Sequence, residues 1–266
     1  MADTAAHLVD RVFPEVPVRQ WVLSLPYALR YRMAYDARLV SDLLRIFVRE
    51  VFRSLSRRVH NPGPPGRPQC GAVTFIQRFG DALNLHVHFH MLALDGVYTV
   101  SQGTLLRFRP AAPPSHAEVA RLAARIAGKV ARLLERRGLG PQADPEEADP
   151  LAREQPLLAA LYGASVSGRI ATGPRAGRPV ATVGDRVEVE NIELEEEGDA
   201  RCATVSGVSL HAEVCVPARD RMRLERLCRY VGRPPLALER RSLLPDGRLL
   251  YHLKRRSPQR NHSRGL

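Results

Sequence analysis

The alternation of apolar and polar positions divides the chain into a short series of elements. Arg19-Gln20-Trp21-Val22-Leu23-Ser24-Leu25 has the composition of a strand and stops at Pro26. From Asp36 to Arg58 the period changes to that of a helix, with Leu39, Val40, Leu43, Leu44, Phe47, Val51 and Phe52 along one stripe. The run Asn61–Pro68 (NPGPPGRP) predicts a loop. Period two returns in Gly71–Phe79 and Leu85–Leu94, a hairpin turning near Gly80-Asp81. Ser115-His116-Ala117-Glu118 has the spacing of a capping box. It opens a helix that carries Val119, Leu122, Ile126, Val130, Leu133 and Leu134 and runs to Gly138.

Beyond that point the pattern weakens. Residues 139–165, which contain GPQADPEEADP, read as a linker or mobile insertion, and short alternations between Val166 and Val189 suggest a small β-ribbon. Ser209–Val216 predicts a last strand and Ala218–Arg229 a last helix, rich in Arg and Leu. The order β-α-β-β-α, insertion, β-α predicts an α+β fold. Its core would be an antiparallel sheet of about four strands with helices on one face, a split βαβ arrangement, plus the small β insertion. On this reading residues 1–138 and 208–255 form one domain, 139–207 are the acidic linker and β insertion, and 256–266 are a disordered tail.

Charge sharpens the division. The 266 residues hold 40 Lys+Arg against 28 Asp+Glu, a net +12, and Lys129 and Lys254 are the only lysines. Arginine's planar fork matches phosphate oxygens, so the skew suits a polyanionic partner. Residues 219–266 carry 14 cations against four acids, whereas residues 141–200 carry 13 acids against five arginines. A nucleic-acid face built from the C-terminal element and the N-terminal part is the expectation. No run approaches the ~18 apolar residues of a membrane span. The N-terminus has no signal-peptide layout, and Cys70, Cys202, Cys215 and Cys228 are scattered with no CxxC pair. A reduced, cytoplasmic protein is expected.

The sharpest motif is Leu85-His86-Val87-His88-Phe89-His90, three of the nine histidines on one strand. Period two projects the three imidazoles from one face and Val87 and Phe89 from the other, close enough for two rings to share a metal ion. Gln77 on the partner strand, Asp95 and His211 are candidates for a further ligand, with Gln77 preferred. Tyr230 ends the basic helix among Arg223, Arg226, Arg229 and Arg233, and a phenol beside a cation has its phenolate favoured and can act as a nucleophile.

The run Gly71–Tyr98 (GAVTFIQRFGDALNLHVHFHMLALDGVY) resembles rolling-circle transposases of the HUH endonuclease superfamily, in the insertion-sequence ninety-one group. Gly168–Gly177 (GRIATGPRAG), Ser209–Pro217 and Leu224–Leu238 (LERLCRYVGRPPLAL) are similar to that group too. The resemblance implies that His88-Phe89-His90 is the HUH signature, with His88, His90 and a third ligand, for which Gln77 is the preferred candidate, holding Mg2+ or Mn2+. It implies that Tyr230 is the catalytic tyrosine, attacking single-stranded DNA at the ends of a mobile element. Some relatives have a second tyrosine four residues earlier; Arg226 stands there, so the chain resembles the single-tyrosine branch. The Cys-rich zinc module that usually precedes this domain is not seen before Ala5, and SPQRNHSRGL replaces the usual continuation. A chain truncated at both ends is therefore expected. Two alternatives follow: an inactive remnant that only binds DNA, and a zinc hydrolase using His86, His88 and His90 together.

Overall fold

In the computed structural model the described residues are 2–59, 68–80, 84–101, 105–140, 149–180, 201–234, 241–245 and 249–251. The body of the Asn61–Pro68 loop, Asp81 of the predicted turn, the far end of the predicted β-ribbon and the 256–266 tail lie outside them. Antiparallel strands make the core: β1 (Val18–Ser24), β2 (Ala72–Phe79), β3 (Leu85–Leu94), β6 (Cys202–Val205), β7 (Val208–His211) and β8 (Cys215–Val216). They are ordered β2-β3-β1-β7-β6, with β8 pairing the far end of β1 beside β7. The α+β class with an antiparallel sheet stands, but the sheet has six strands rather than about four. The extra pairing comes from two places. Cys202–Val205, inside the stretch read as insertion, is the outer strand, and the predicted strand Ser209–Val216 is broken in two.

The break is a β-bulge. Val22 pairs His211 and Arg19 pairs Cys215, so Gln20 and Trp21 oppose the three residues 212–214. The ladder is kept across it by Gln20 N, which donates to the Val214 carbonyl at 2.9 Å.

Register assigns every side chain to a face. β1 pairs β3 with Val22 opposite His90 and Ser24 opposite His88, and β2 pairs β3 with Phe75 opposite His90 and Gln77 opposite His88. Trp21, Leu23, Val87, Phe89, Met91 and Leu210 therefore share the first face, where they are buried with the apolar stripes of α3 (Ala37–Arg58) and α4 (His116–Arg136). Asp36 caps α3 by accepting from Leu39 N at 2.8 Å, and the Ser115–Glu118 capping box starts α4 as its spacing predicted.

The second face corrects the expectation of helices on one side only. α1 (Ala2–His7), its π-helical continuation Leu8–Val12, and α7 (Arg221–Val231) bury Ala5, Leu8, Val9, Leu224, Cys228 and Val231 against Val18, Leu92, Leu94 and Val216. The strand residues at even positions are apolar at this end, which is why helices cover it.

The linker reading also changes. Residues 150–166 are helical, as α5 (Pro150–Glu154) and α6 (Pro156–Val166). Asp149 ties them to α2 (Tyr27–Tyr35) by accepting from the Tyr31 hydroxyl at 2.9 Å and the Tyr35 hydroxyl at 3.1 Å. Of the predicted ribbon, the described part is a single bridge between Arg169 and Pro179. A hairpin that the pattern did not predict, β4 (Gly96–Ser101) and β5 (Leu105–Pro110), follows β3. It requires Gly96, because a Cβ there would stand 2.2 Å from the Arg109 carbonyl oxygen. A last pair, β9 (Arg241–Leu243) and β10 (Leu249–Tyr251), follows α7. No helix among the described residues is long and apolar enough to cross a membrane.

Candidate nucleic-acid processing site

Where the apolar cover of the second face ends, the histidine row begins. The three rings follow one another along the strand, with centroids 4.7 Å apart for His86–His88, which are tilted, and 4.9 Å for His88–His90, which meet edge-on. His90 is buried and the other two are partly exposed. Burial pushes the pKa of His90 down to about 3, helped by the charges of His88, Arg233 and His86. Burial, Arg30 and His88 do the same for His86, also to about 3. Both rings are thus neutral at pH 7, the form that offers a lone pair to a cation. His88 Nδ1 donates to the His86 carbonyl at 2.7 Å, which places the lone pair of the neutral ring on Nε2.

Tyr230 lies in the last turn of α7, one residue past the predicted end of that helix at Arg229. Its ring meets His90 edge-on with centroids 6.0 Å apart, although 140 positions separate them in the sequence. The ring is half exposed, at 48%. Arg233 places its guanidinium carbon 4.8 Å from the centroid of the Tyr230 ring, a cation–π contact. The structure therefore brings Tyr230, Arg233, His88 and His90 together.

Gln77 joins them in an unexpected way. It pairs with His88 across the β2–β3 ladder, and its Nε2 donates to the Val231 carbonyl at 3.0 Å. Val231 is the residue after Tyr230, so one amide ties the tyrosine helix to the histidine strand. With its nitrogen engaged there, the oxygen is the atom of Gln77 able to face a cation.

The other ligand candidates lie elsewhere. Asp95 is on the first face, where its Oδ2 accepts from Arg19 Nε at 3.0 Å and from Arg19 Nη2 at 2.7 Å. His211 shares the histidine face but is two strands from His90, its Nε2 3.1 Å from Ser209 Oγ and 3.4 Å from Cys202 Sγ. Among the described residues, no group of three or more His, Cys, Asp or Glu is placed to hold a metal ion. The three-histidine zinc reading therefore gains no support here, while two imidazoles and an amide oxygen make a mixed nitrogen and oxygen donor set, its oxygen of the kind that suits Mg2+ or Mn2+ and its imidazoles of the kind that suits softer transition ions.

The basic helix divides its arginines. Arg223 and Arg226 are exposed on the outer side of α7. Arg229 is bonded to Glu225 through Nε at 3.1 Å and Nη2. Arg221, which the sequence reading did not single out, donates to the carbonyls of Val9, Phe13 and Pro14 and so holds the N-terminal segment. Gln20, which the sequence reading also did not single out, meets His90 Nδ1 at 2.8 Å.

Residues 71–266 match the family model described as "Putative transposase". No curated protein matches the chain, and no solved structure does. The match takes in the histidine strand, the bulged strand and the tyrosine helix, well over half of the molecule, and the chain belongs to this transposase family.

Proposed function

We propose that the chain is a rolling-circle DNA transposase of the HUH type, in the single-tyrosine branch of the insertion-sequence ninety-one group. It nicks and rejoins single-stranded DNA at the ends of a mobile element. The observation that carries this reading is the edge-on contact of Tyr230 with His90 at 6.0 Å, a phenol beside two adjacent imidazoles on a polar sheet face. Mg2+ or Mn2+ would be held by His88, His90 and the oxygen of Gln77, and when bound it supplies Lewis-acid polarisation of the scissile phosphate.

Tyr230 Oη attacks phosphorus in line. The Tyr O–P bond forms, the P–O3′ bond breaks, and the phenolic proton reaches the departing 3′ oxygen through solvent. The products are a 5′-phosphotyrosine and a free 3′-OH. Because the phosphodiester energy is kept in the protein–DNA bond, a 3′-OH from another strand reverses the step without ATP. Arg233 stands over the tyrosine ring, near enough to favour charge developing on the phenol oxygen. Arg223 and Arg226, on the exposed side of the same helix, grip flanking phosphates. Arg226 also occupies the position where a second tyrosine would stand, so one nucleophile serves both strands in turn.

The test is denaturing gel electrophoresis of a labelled single strand incubated with the protein and Mn2+. A covalent adduct is expected from the parent and none from Tyr230→Phe. A parent protein that retains the strand in a filter assay yet forms no adduct is a DNA-binding remnant, and the nuclease reading falls.

A further inference from the structure

Gln20 stands in the middle of β1, the central strand of the sheet, on the histidine face between Val18 and Val22. It is 6% exposed, and His90 is 5% exposed. Its Nε2 donates to His90 Nδ1 at 2.8 Å. A buried amide in a central strand costs free energy unless it is bonded, and an aliphatic side chain of similar size would fill the same space. What the amide adds is control over one nitrogen of one ring.

His88 and His90 differ in this respect. The partner of His88 Nδ1 is a backbone carbonyl, which only accepts, so the proton of that ring is fixed on Nδ1 and its Nε2 carries a lone pair. The partner of His90 Nδ1 is a primary amide, which can present either its NH2 or its oxygen to the same point. With the NH2 turned to the ring, His90 carries its proton on Nε2 and can donate to a phosphate oxygen. With the amide turned over, the Gln20 oxygen accepts from Nδ1–H, and Nε2 has the lone pair a cation needs.

We propose that Gln20 is the positioning residue of the site: it holds His90 by Nδ1, decides which ring nitrogen carries the proton, and leaves Nε2 as the nitrogen that meets phosphate or cation. The assignment rests on the proposed role of the histidine pair, but the tautomer itself is a property of the protein alone and can be measured without either ligand.

Long-range 1H–15N NMR of the imidazoles in the metal-free full chain reads that tautomer. The parent should show His90 as the Nε2–H form. Gln20→Glu, whose carboxylate only accepts, should convert it to Nδ1–H, and Gln20→Leu should leave a mixture. Mn2+ binding by EPR should weaken about ten- to a hundredfold in Gln20→Leu and stay within a few fold of the parent in Gln20→Glu. If Gln20→Leu does not fold, Gln20→Glu alone still decides, since an unchanged Nε2–H tautomer there overturns the proposal. An unchanged tautomer and unchanged Mn2+ binding in Gln20→Leu overturn it as well. A parent chain that binds no Mn2+ removes the cation from the proposed function, and the tautomer measurement still settles what Gln20 does.

Discussion

The two faces of the sheet are built by one alternation and put to opposite uses. On the first, Trp21, Leu23, Phe89, Met91 and Leu210 are sealed beneath α3 and α4, each at 1% exposure or less. On the second, α1 and α7 seal Val18, Leu92, Leu94 and Val216. From His90 outward that same face turns polar, through His88 with Gln77 and Ser24 opposite, and on to Ser209. The first face supplies most of the apolar burial, so the exposed half of the second is free to hold neutral imidazoles and a phenol. Folding energy and chemistry should then be separable by mutation.

The largest expected effect tests that separation from both sides. Tyr230→Phe removes the proposed nucleophile and should lower adduct formation by roughly 10⁴-fold or more. Its urea midpoint should match the parent's, because the hydroxyl is on a half-exposed ring. Phe47→Ala is its counterpart. The Phe47 ring is fully buried and packs on Phe89 with centroids 6.2 Å apart. Its loss should cost about 3–5 kcal/mol of stability, read from the same urea titration, with adduct yield per folded molecule unchanged. A Phe47→Ala protein that folds but loses the adduct selectively would show that the faces are coupled.

A smaller effect belongs to Glu50, a buried carboxylate on α3. Glu50 is fully buried and accepts from Lys129, with Arg125 at 3.4 Å and Arg53 at 3.5 Å. Burial alone would raise its pKa, but Lys129 and the two arginines outweigh that and hold it below the usual carboxylate range. Lys129→Met should cost about 2 kcal/mol at pH 7, less than the 3–5 of a wholly unpaired buried charge because the arginines remain. The sign of the pH dependence follows from the depressed folded pKa. The stabilisation is complete above the unfolded value near 4.3 and is lost as pH falls through the lower folded one. The gap between parent and variant, measured by urea at pH 7 and pH 3, should therefore close in acid.

What the sequence disclosed follows the same line between faces. Period two in His86-Val87-His88-Phe89-His90 is a local property, and the structure keeps it: Val87 and Phe89 are in the core and the imidazoles are opposite. The stripes of α3 and α4 and the Ser115 capping box were legible for the same reason. The meeting of Tyr230 with His90 depends on how α7 crosses a sheet, and no spacing within the chain encodes that crossing. α2 was missed because Tyr27–Tyr35 mixes arginines and tyrosines without a clean apolar stripe. Asp149 looked like linker composition, yet it is the acceptor that pins α5 to α2. Gln20 did leave a trace: it is a polar residue in the middle of an apolar central strand, at the same parity as the position facing His90.

The smallest effects separate arginines that the sequence placed together on one basic helix. Arg221 spends its guanidinium on the carbonyls of Val9, Phe13 and Pro14, so Arg221→Ala should lower stability by about 1–2 kcal/mol, with each lost charge-assisted bond contributing. It should leave the salt dependence of DNA binding unchanged. Arg223 and Arg226 are exposed, so each alanine variant should keep the parent's stability and weaken single-strand binding roughly three- to tenfold. The slope of log K against log salt should fall by about 0.7 for each phosphate contact removed. Arg229 is already neutralised by Glu225, and its alanine variant should change the slope least. Fluorescence anisotropy with a short labelled strand between 50 and 200 mM salt reads all four. Equal slopes across the four variants would mean that the strand senses α7 as diffuse charge. A graded series would mean that it lies along the outer side of the helix, on the path to Tyr230.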